Sequence, residues 1–319
     1  MNEPLPILRA SAMHEAGADA TTLRRRTSAH RPYRLVRVGP NAFVHGARWD
    51  AAGPRQRYVT RVYARLGRIG VRATASHESA AALHGLPVLH GWDVPVHATV
   101  PTSMYRGRTA ALVLHSRAVT DADRIEVRGI HTTTLARTVA DIALAGDFRA
   151  GVVVADAALR GGCARAPICA AVGPTARSRA LATSVIDFAD ARSGSPAESL
   201  ARVVFRELGL PAPVLQQPFV IGGHRYEVDF WFPEQGVVVE ADGLAKYTQA
   251  RYRNGRTQEQ VILDEKRRHE ALLTAPAVRT IIRLEWRDLF DLDTLTRRLR
   301  IAGLPCLLRP VRSARDVRR

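Results

Sequence analysis

The chain has 319 residues, with 47 Lys and Arg against 30 Asp and Glu, and a formal net charge of +17 at pH 7. A hydrophobic fraction of 46% and a charged fraction of 24% are those of an ordinary globular protein, and the length suits two or three domains. No apolar run reaches the roughly 20 residues of a bilayer-spanning helix. The first residues, Met1-Asn2-Glu3-Pro4-Leu5-Pro6, lack a charged-then-apolar signal pattern, so a cytoplasmic location is expected.

Three scattered cysteines, Cys163, Cys169 and Cys306, argue against a disulfide framework and against a zinc site. Two residues are lysine, Lys246 and Lys266, in one stretch near a cluster of carboxylates. Lysine is a compact cation whose pKa shifts readily, whereas arginine is a permanently charged planar fork. Lysines kept in so arginine-rich a chain are candidates for chemistry at a phosphate.

Residues 1–72 hold 14 Arg and 4 acids, a net of +10, which is the charge footprint of a nucleic-acid-binding module. Ile7 to Glu15 reads as a short helix that Gly17 can end. Asp19 to Arg26 reads as a second helix with Asp19 at its N-cap. Tyr33 to Val38 alternates with period two, and a turn at Gly39-Pro40-Asn41 leads to Ala42-Phe43-Val44. Helix, turn, basic helix and hairpin give a winged helix-turn-helix over residues 1–48. Arg24, Arg25 and Arg26 are then the recognition-helix residues, with Arg34 and Arg37 on or near the wing.

His14-Glu15-Ala16-Gly17, Leu23-Arg24-Arg25-Arg26 and Leu35-Val36-Arg37-Val38-Gly39-Pro40-Asn41-Ala42-Phe43 resemble the N-terminal module of AbiEi-type antitoxins of type IV toxin–antitoxin systems. That resemblance implies DNA as a partner, with a cognate toxin or an operator as further expectations.

Residues 49–194 read as a mixed α/β middle region. Helices are expected from Tyr58 to Leu66, from Ser76 to Leu83 and from Leu135 to Ala145, the last capped by Thr134. Strands are expected at Val94 to Val100 and Ala111 to His115. Arg137 and Asp141, four apart, are expected to pair on a helix surface. His77-Glu78-Ser79-Ala80-Ala81-Ala82-Leu83-His84-Gly85 and Thr134-Leu135-Ala136-Arg137-Thr138-Val139-Ala140-Asp141 also resemble stretches of the antitoxin-like proteins. His77, His84, His90 and His97 recur regularly. No Cys or carboxylate set completes a ligand group with them, so capping and packing roles are expected. The region reads as scaffold, with Arg192-Ser193-Gly194 as its boundary.

Residues 195–303 carry the candidate chemistry, and 304–319 form a basic tail. Ser195-Pro196-Ala197-Glu198 opens a helix with a capping box. Tyr226 to Phe232 and Val237 to Asp242 form a hairpin about the turn 233–236. Phe232 then faces Val237, Asp229 lies opposite Glu240, and Glu227 lies opposite Asp242. Four carboxylates on one sheet face repel one another and need a cation. Mg²⁺, which prefers oxygen ligands, would be held by Asp229 and Glu240. A salt-bridged surface with Arg225 or Arg251 is the alternative.

Ser195-Pro196-Ala197-Glu198, Val228-Asp229-Phe230, Val239-Glu240-Ala241-Asp242-Gly243-Leu244-Ala245-Lys246-Tyr247, Asp264-Glu265-Lys266-Arg267-Arg268 and Arg283-Leu284-Glu285-Trp286 resemble, in order, the PD-(D/E)XK nuclease fold. The nearest branch is that of domains related to the very-short-patch-repair endonucleases. The resemblance implies a restriction-endonuclease-like α/β/α core in which Asp229 and Glu240 bind the metal and Glu198 assists through water or orients a ligand. A lysine would polarise the scissile phosphate or position the attacking hydroxide. Asp242 stands where that lysine usually lies, so Lys246 or Lys266 would have to supply it.

The expected fold class is therefore α+β multidomain. The expected function is a DNA-binding protein with a Mg²⁺-dependent endonuclease-like domain. The rival is an antitoxin-like transcriptional regulator whose nuclease fold does not cleave; an RNA-directed nuclease is a third reading.

Overall fold

Residues 3–15, 27, 34–69, 73–101, 107–174, 178–242 and 258–307 are described by a computed structural model. Three sheets and eleven α-helices among them make an α+β multidomain protein. The chain divides into two units, Met1–Ala189 and Asp190–Arg319. No helix among the described residues is long and apolar enough to cross a membrane.

The N-terminal unit begins with β1 (Leu8–Arg9) and α1 (Ala10–Glu15), followed by the hairpin β2 (Leu35–Gly39) and β3 (Ala42–His45). The sequence favours helix from Ile7, but Leu8 and Arg9 pair antiparallel with Phe43 and Ala42. The strand satisfies the backbone groups that β3 would otherwise leave open on that edge. Asn41 makes the turn at φ 51°, a left-handed conformation that its short polar side chain tolerates. The expected second helix, with Arg24, Arg25 and Arg26, lies outside the described residues.

Two helices follow, α2 (Gly46–Ala51) and α3 (Pro54–Ile69). α3 serves two cores. Its Ala64 packs with Leu5, Val38, Ala42, Val44 and Ala52, while Tyr58, Val59, Val62 and Leu66 pack with Ala75, Val96 and Ala98. Gly39 makes the first contact close: a Cβ there would come within 3.0 Å of the Ala64 Cβ.

The second sheet holds β4 (Thr74–Ala75), β5 (Val96–Val100), β6 (Leu112–Ser116), β7 (Arg124–Val127) and β8 (Ile130–Thr133) in the order β6-β5-β4-β8-β7. Between β4 and β5 runs α4 (His77–His84), which ends at Gly85 in the left-handed conformation. Four helices close the unit: α5 (Leu135–Leu144), α6 (Phe148–Arg160), α7 (Arg165–Val172) and α8 (Arg179–Phe188). The Thr134 side chain caps α5 as expected, accepting from the Arg137 amide.

Arg137 and Asp141, expected on a helix surface, are buried, at 4% and 2% exposure. Their Nε–Oδ1 bond is 2.9 Å, and Arg137 also reaches Asp123 (3.0 Å) and the Ala118 carbonyl (3.2 Å). Burial is tolerated because three of the five guanidinium hydrogens find acceptors.

The C-terminal unit is α9 (Pro196–Glu207), β9 (Val214–Ile221), β10 (His224–Phe232), β11 (Val237–Asp242), α10 (Gln258–Thr274), β12 (Thr280–Glu285) and α11 (Leu292–Ile301). Sheet order is β12-β11-β10-β9, antiparallel except for the parallel β11–β12 pair. Phe232 pairs with Val237 and Phe230 with Val239, the register read from the alternation. Gly236 closes the turn at φ +64°, where a Cβ would come within 2.8 Å of the Ala277 carbonyl oxygen. On the core side, the Phe205 ring of α9 packs edge-on against Phe230 and Phe232 at 5.1 and 5.7 Å. β9 tolerates Pro218 because it is an edge strand.

Candidate functional site

β10 and β11 bring Asp229 and Glu240 together, because adjacent antiparallel strands align their same-face residues. Asp229 Oδ2 accepts from the Ala241 amide at 2.9 Å. Glu240 is 6% exposed and is held between two arginines. Arg268, from α10, puts Nη2 2.5 Å from Glu240 Oε1; Arg283, from β12, puts Nε 3.7 Å from Oε2. Glu265 bridges the same two cations, at 3.4 Å from Arg268 and closer to Arg283. Glu240, Arg268, Glu265 and Arg283 thus form a closed ring of alternating charge.

Burial opposes the charge on Arg268, but the Glu240, Glu265 and Asp229 carboxylates outweigh it and hold the guanidinium above its ordinary pKa. Arg268 and Glu240 form a close ion pair. Arg268 Nη2 donates to the Glu227 carbonyl at 2.7 Å, and Glu240 Oε1 accepts no aligned hydrogen bond among the described residues.

The cation demanded by the stacked carboxylates thus comes from Arg268 and Arg283, neither of which the sequence reading had assigned. Parallel pairing sets Arg283 directly beside Glu240; that neighbour is legible once the strand after α10 is laid alongside β11. On its β9 side Glu227 sits opposite Pro218, and it pairs at 3.2 Å with Arg225, the cation that the salt-bridged alternative names, both exposed. Asp242 lies beside Glu285 and lines a groove with Arg283, Arg287, Asp288 and Arg298.

Glu198 is 5% exposed. Ser195 Oγ accepts from the Glu198 amide at 3.2 Å, and the Glu198 carboxylate turns back to accept from the Gly194 amide at 2.6 Å and from Gln216 Nε2 at 2.8 Å. Gln216 holds φ at 52°, a conformation uncommon for a side chain of its size. Lys266 points outward and pairs with Glu270 at 3.8 Å, both well exposed. Lys246 and Arg251 lie outside the described residues.

In the N-terminal unit, Arg34 pairs with Asp50 at 2.5 Å. Arg37 is exposed on β2, its Nε donating to the Gly39 carbonyl at 3.4 Å.

The same unit gathers a set of histidines that sequence spacing had not completed. His77 opens α4, His97 lies on β5 and His115 on β6. One ligand nitrogen from each falls within 4.8 Å of the others. His97 Nδ1 and His115 Nε2 are 2.9 Å apart, and the His77 and His115 rings stack at 3.8 Å between centroids. Burial first, then neighbouring positive groups, push His97 and His115 down to about 4 and His77 well below its ordinary value. His84 and His90 go elsewhere, to the Thr133 carbonyl and to Asp147, each at 2.7 Å. Sequence spacing singles out His77 and His97 but not His115, which comes from a strand 18 residues beyond His97.

These features define a two-unit α+β protein with a carboxylate–arginine site on the C-terminal sheet and a histidine cluster in the N-terminal unit. Two proteins of Mycobacterium tuberculosis, uncharacterized protein MT2308 and uncharacterized protein Rv2248, are each 31% identical to it over 231 residues, which covers 67% of this chain and 83% of the relative. The chain belongs to the family of these two proteins. No family model matches it.

Proposed function

We propose that the chain is a DNA-binding protein whose C-terminal unit is a Mg²⁺-dependent, endonuclease-like phosphodiester hydrolase. The observation that carries this reading is the convergence of Asp229 and Glu240 on adjacent strands with two arginines against them. The order of helix, three antiparallel strands, helix and parallel strand also agrees with the PD-(D/E)XK core that the motifs resemble.

The donor set fits a hard divalent cation. Both groups offer carboxylate oxygen, and Arg268 and Arg283, which now face Glu240, would have to give way for the ion to reach it. Asp229 and Glu240 would hold the ion. Bound there, Mg²⁺ would supply Lewis-acid stabilisation of charge on the scissile phosphate. Arg268 and Arg283, half-buried and held by Glu240 and Glu265, would meet phosphate oxygens as positioned cations. Glu198, through Gly194 and Gln216, fixes the start of α9 and the conformation of β9.

The N-terminal hairpin with its third strand, the basic charge of residues 1–72, and Arg24, Arg25, Arg26, Arg34 and Arg37 support a winged helix-turn-helix as the DNA-binding element. Arg34 is engaged by Asp50, so Arg37 is the stronger phosphate contact of the hairpin pair.

A second reading is an antitoxin-like transcriptional regulator, acting at an operator or with a cognate toxin, whose nuclease fold does not cleave. It is favoured by one arrangement: guanidinium groups face both oxygens of Glu240, and Lys266 turns to Glu270. The test is incubation of pure protein with double-stranded DNA in Mg²⁺. Cleavage abolished by Asp229→Ala or Glu240→Ala supports the hydrolase; operator binding with no cleavage of any DNA or RNA supports the regulator.

A further inference from the structure

His77, His97 and His115 have no part in the phosphodiester chemistry proposed above and lie in the other unit. Parallel pairing of β5 and β6 sets His115 beside Thr99, two residues along from His97, so both rings stand on the same sheet face. The turn from β4 into α4 delivers the third ring. His77 holds that position at φ 50°, in the left-handed region that histidine enters more readily than most residues. Ser76 Oγ lies 3.1 Å from His77 Nδ1 and fixes the ring.

Packing alone accounts poorly for this arrangement. Three imidazoles are crowded together with one contact of 2.9 Å between ring nitrogens. A carboxylate oxygen, Glu78 Oε2, is buried with no hydrogen-bond partner among the described residues, 3.6 Å from His97 Nδ1. Imidazole binds a metal as the neutral ring, through a nitrogen lone pair.

A cation among the rings would use those lone pairs and give Glu78 a charge partner. Arg108, Arg117 and Arg137 act against it from nearby. Arg117 and Arg137 are themselves neutralised by Asp141, and Arg137 also by Asp123.

We propose that His77, His97 and His115 form a binding site for a zinc-class divalent transition metal, with Glu78 as the adjacent carboxylate. Imidazole nitrogen suits zinc, cobalt and nickel, whereas Mg²⁺ takes hard oxygen ligands, so this site and the C-terminal carboxylates select different metals. Three protein ligands leave a fourth position open to water. In a tetrahedral site with Zn–N bonds of about 2.0–2.1 Å, ligand nitrogens stand about 3.3 Å apart, so the His97–His115 contact opens by a few tenths of an ångström on binding. The ion would tie the start of α4 to β5 and β6.

The test uses the full, tag-free chain stripped with chelator and titrated with Zn²⁺ against a chromophoric competitor, and separately with Co²⁺ while the visible spectrum is read. One equivalent of tight Zn²⁺ binding, an intense tetrahedral Co²⁺ band and a raised thermal midpoint are expected. His97→Asn and His115→Asn should remove the band; Glu78→Gln should weaken binding by about tenfold to a hundredfold. Asp229→Ala should leave all three signals intact, which separates this site from the Mg²⁺ reading. Because a ligand variant can misfold, the wild-type Co²⁺ spectrum stands as its own criterion. A wild-type protein that gives no tetrahedral band and no Zn²⁺ binding overturns the proposal, as does a band that survives both histidine variants.

Discussion

Arg268 Nη2 lies 2.5 Å from Glu240 Oε1, so a half-buried helix cation is set against the buried central acid of the C-terminal sheet. α10 thereby controls the charge available at the carboxylates. The pair also locks α10 onto β11, since the same Nη2 donates to the Glu227 carbonyl of β10.

Replacing Arg268 by Met should leave Glu240 buried with one cation fewer. The expected cost is about 1–3 kcal/mol in denaturant unfolding, because a desolvated carboxylate loses its nearest partner. Adding Glu240→Gln should recover part of that loss. Strict additivity in this double-mutant cycle would mean that the two residues are not energetically coupled.

Arg137 and Asp141 provide a stronger case. Both are almost fully buried, and Arg137 bonds to Asp141, Asp123 and the Ala118 carbonyl. Arg137→Met should destabilise the N-terminal unit by about 3–5 kcal/mol, since it strands buried carboxylate charge. Thermal melting monitored by circular dichroism reads this; a midpoint within a degree of wild type would contradict the assignment.

Burial holds His84 below its ordinary pKa, while its contact with the Thr133 carbonyl works in the opposite direction. The unfolded chain therefore binds more protons than the folded one below about pH 6.5. Stability present at pH 7 and above should fall as the pH drops through 6.5. In the metal-free protein His97 and His115, held down to about 4, add to the same fall. The slope of unfolding free energy against pH between 7 and 5 should be shallower in His84→Gln than in wild type. An unchanged slope would mean that His84 titrates alike in both states.

DNA affinity should depend steeply on salt. With ~6 phosphate contacts, binding should weaken about a thousandfold between 50 and 200 mM salt, and Arg37→Ala should lower the slope by about one contact. Fluorescence anisotropy with duplex DNA measures both. A flat salt response would rule out the electrostatic mode of binding.

Alternation and turn chemistry carried much of the C-terminal unit. The register of Phe230 to Phe232 against Val237 to Val239 follows from period-two spacing and from Gly236, whose positive φ and closeness to the Ala277 carbonyl leave no room for a side chain. The Ser195 cap was legible for the same local reason. Long-range contacts were not. Arg268 and Arg283 reach Glu240 from a helix and a strand more than twenty residues away, and nothing in their local pattern sets them apart from the other arginines. β9 escaped notice because Pro218 interrupts its alternation, which only an edge strand permits. Arg137 and Asp141 have helix-surface spacing, but neighbouring loops cover them. The histidine cluster depends on β5 pairing parallel to β6, and strand pairing is not written in residue spacing.

The most direct test of the proposed hydrolase is nicking of supercoiled plasmid by pure wild-type protein and Asp229→Asn, side by side, in Mg²⁺ and in excess EDTA, with DNA binding measured on the same preparations. Nicks are expected from the wild type in Mg²⁺ alone and none from Asp229→Asn, with equal DNA binding by both. Equal nicking by both proteins, or no nicking by a wild type that binds DNA, would contradict it.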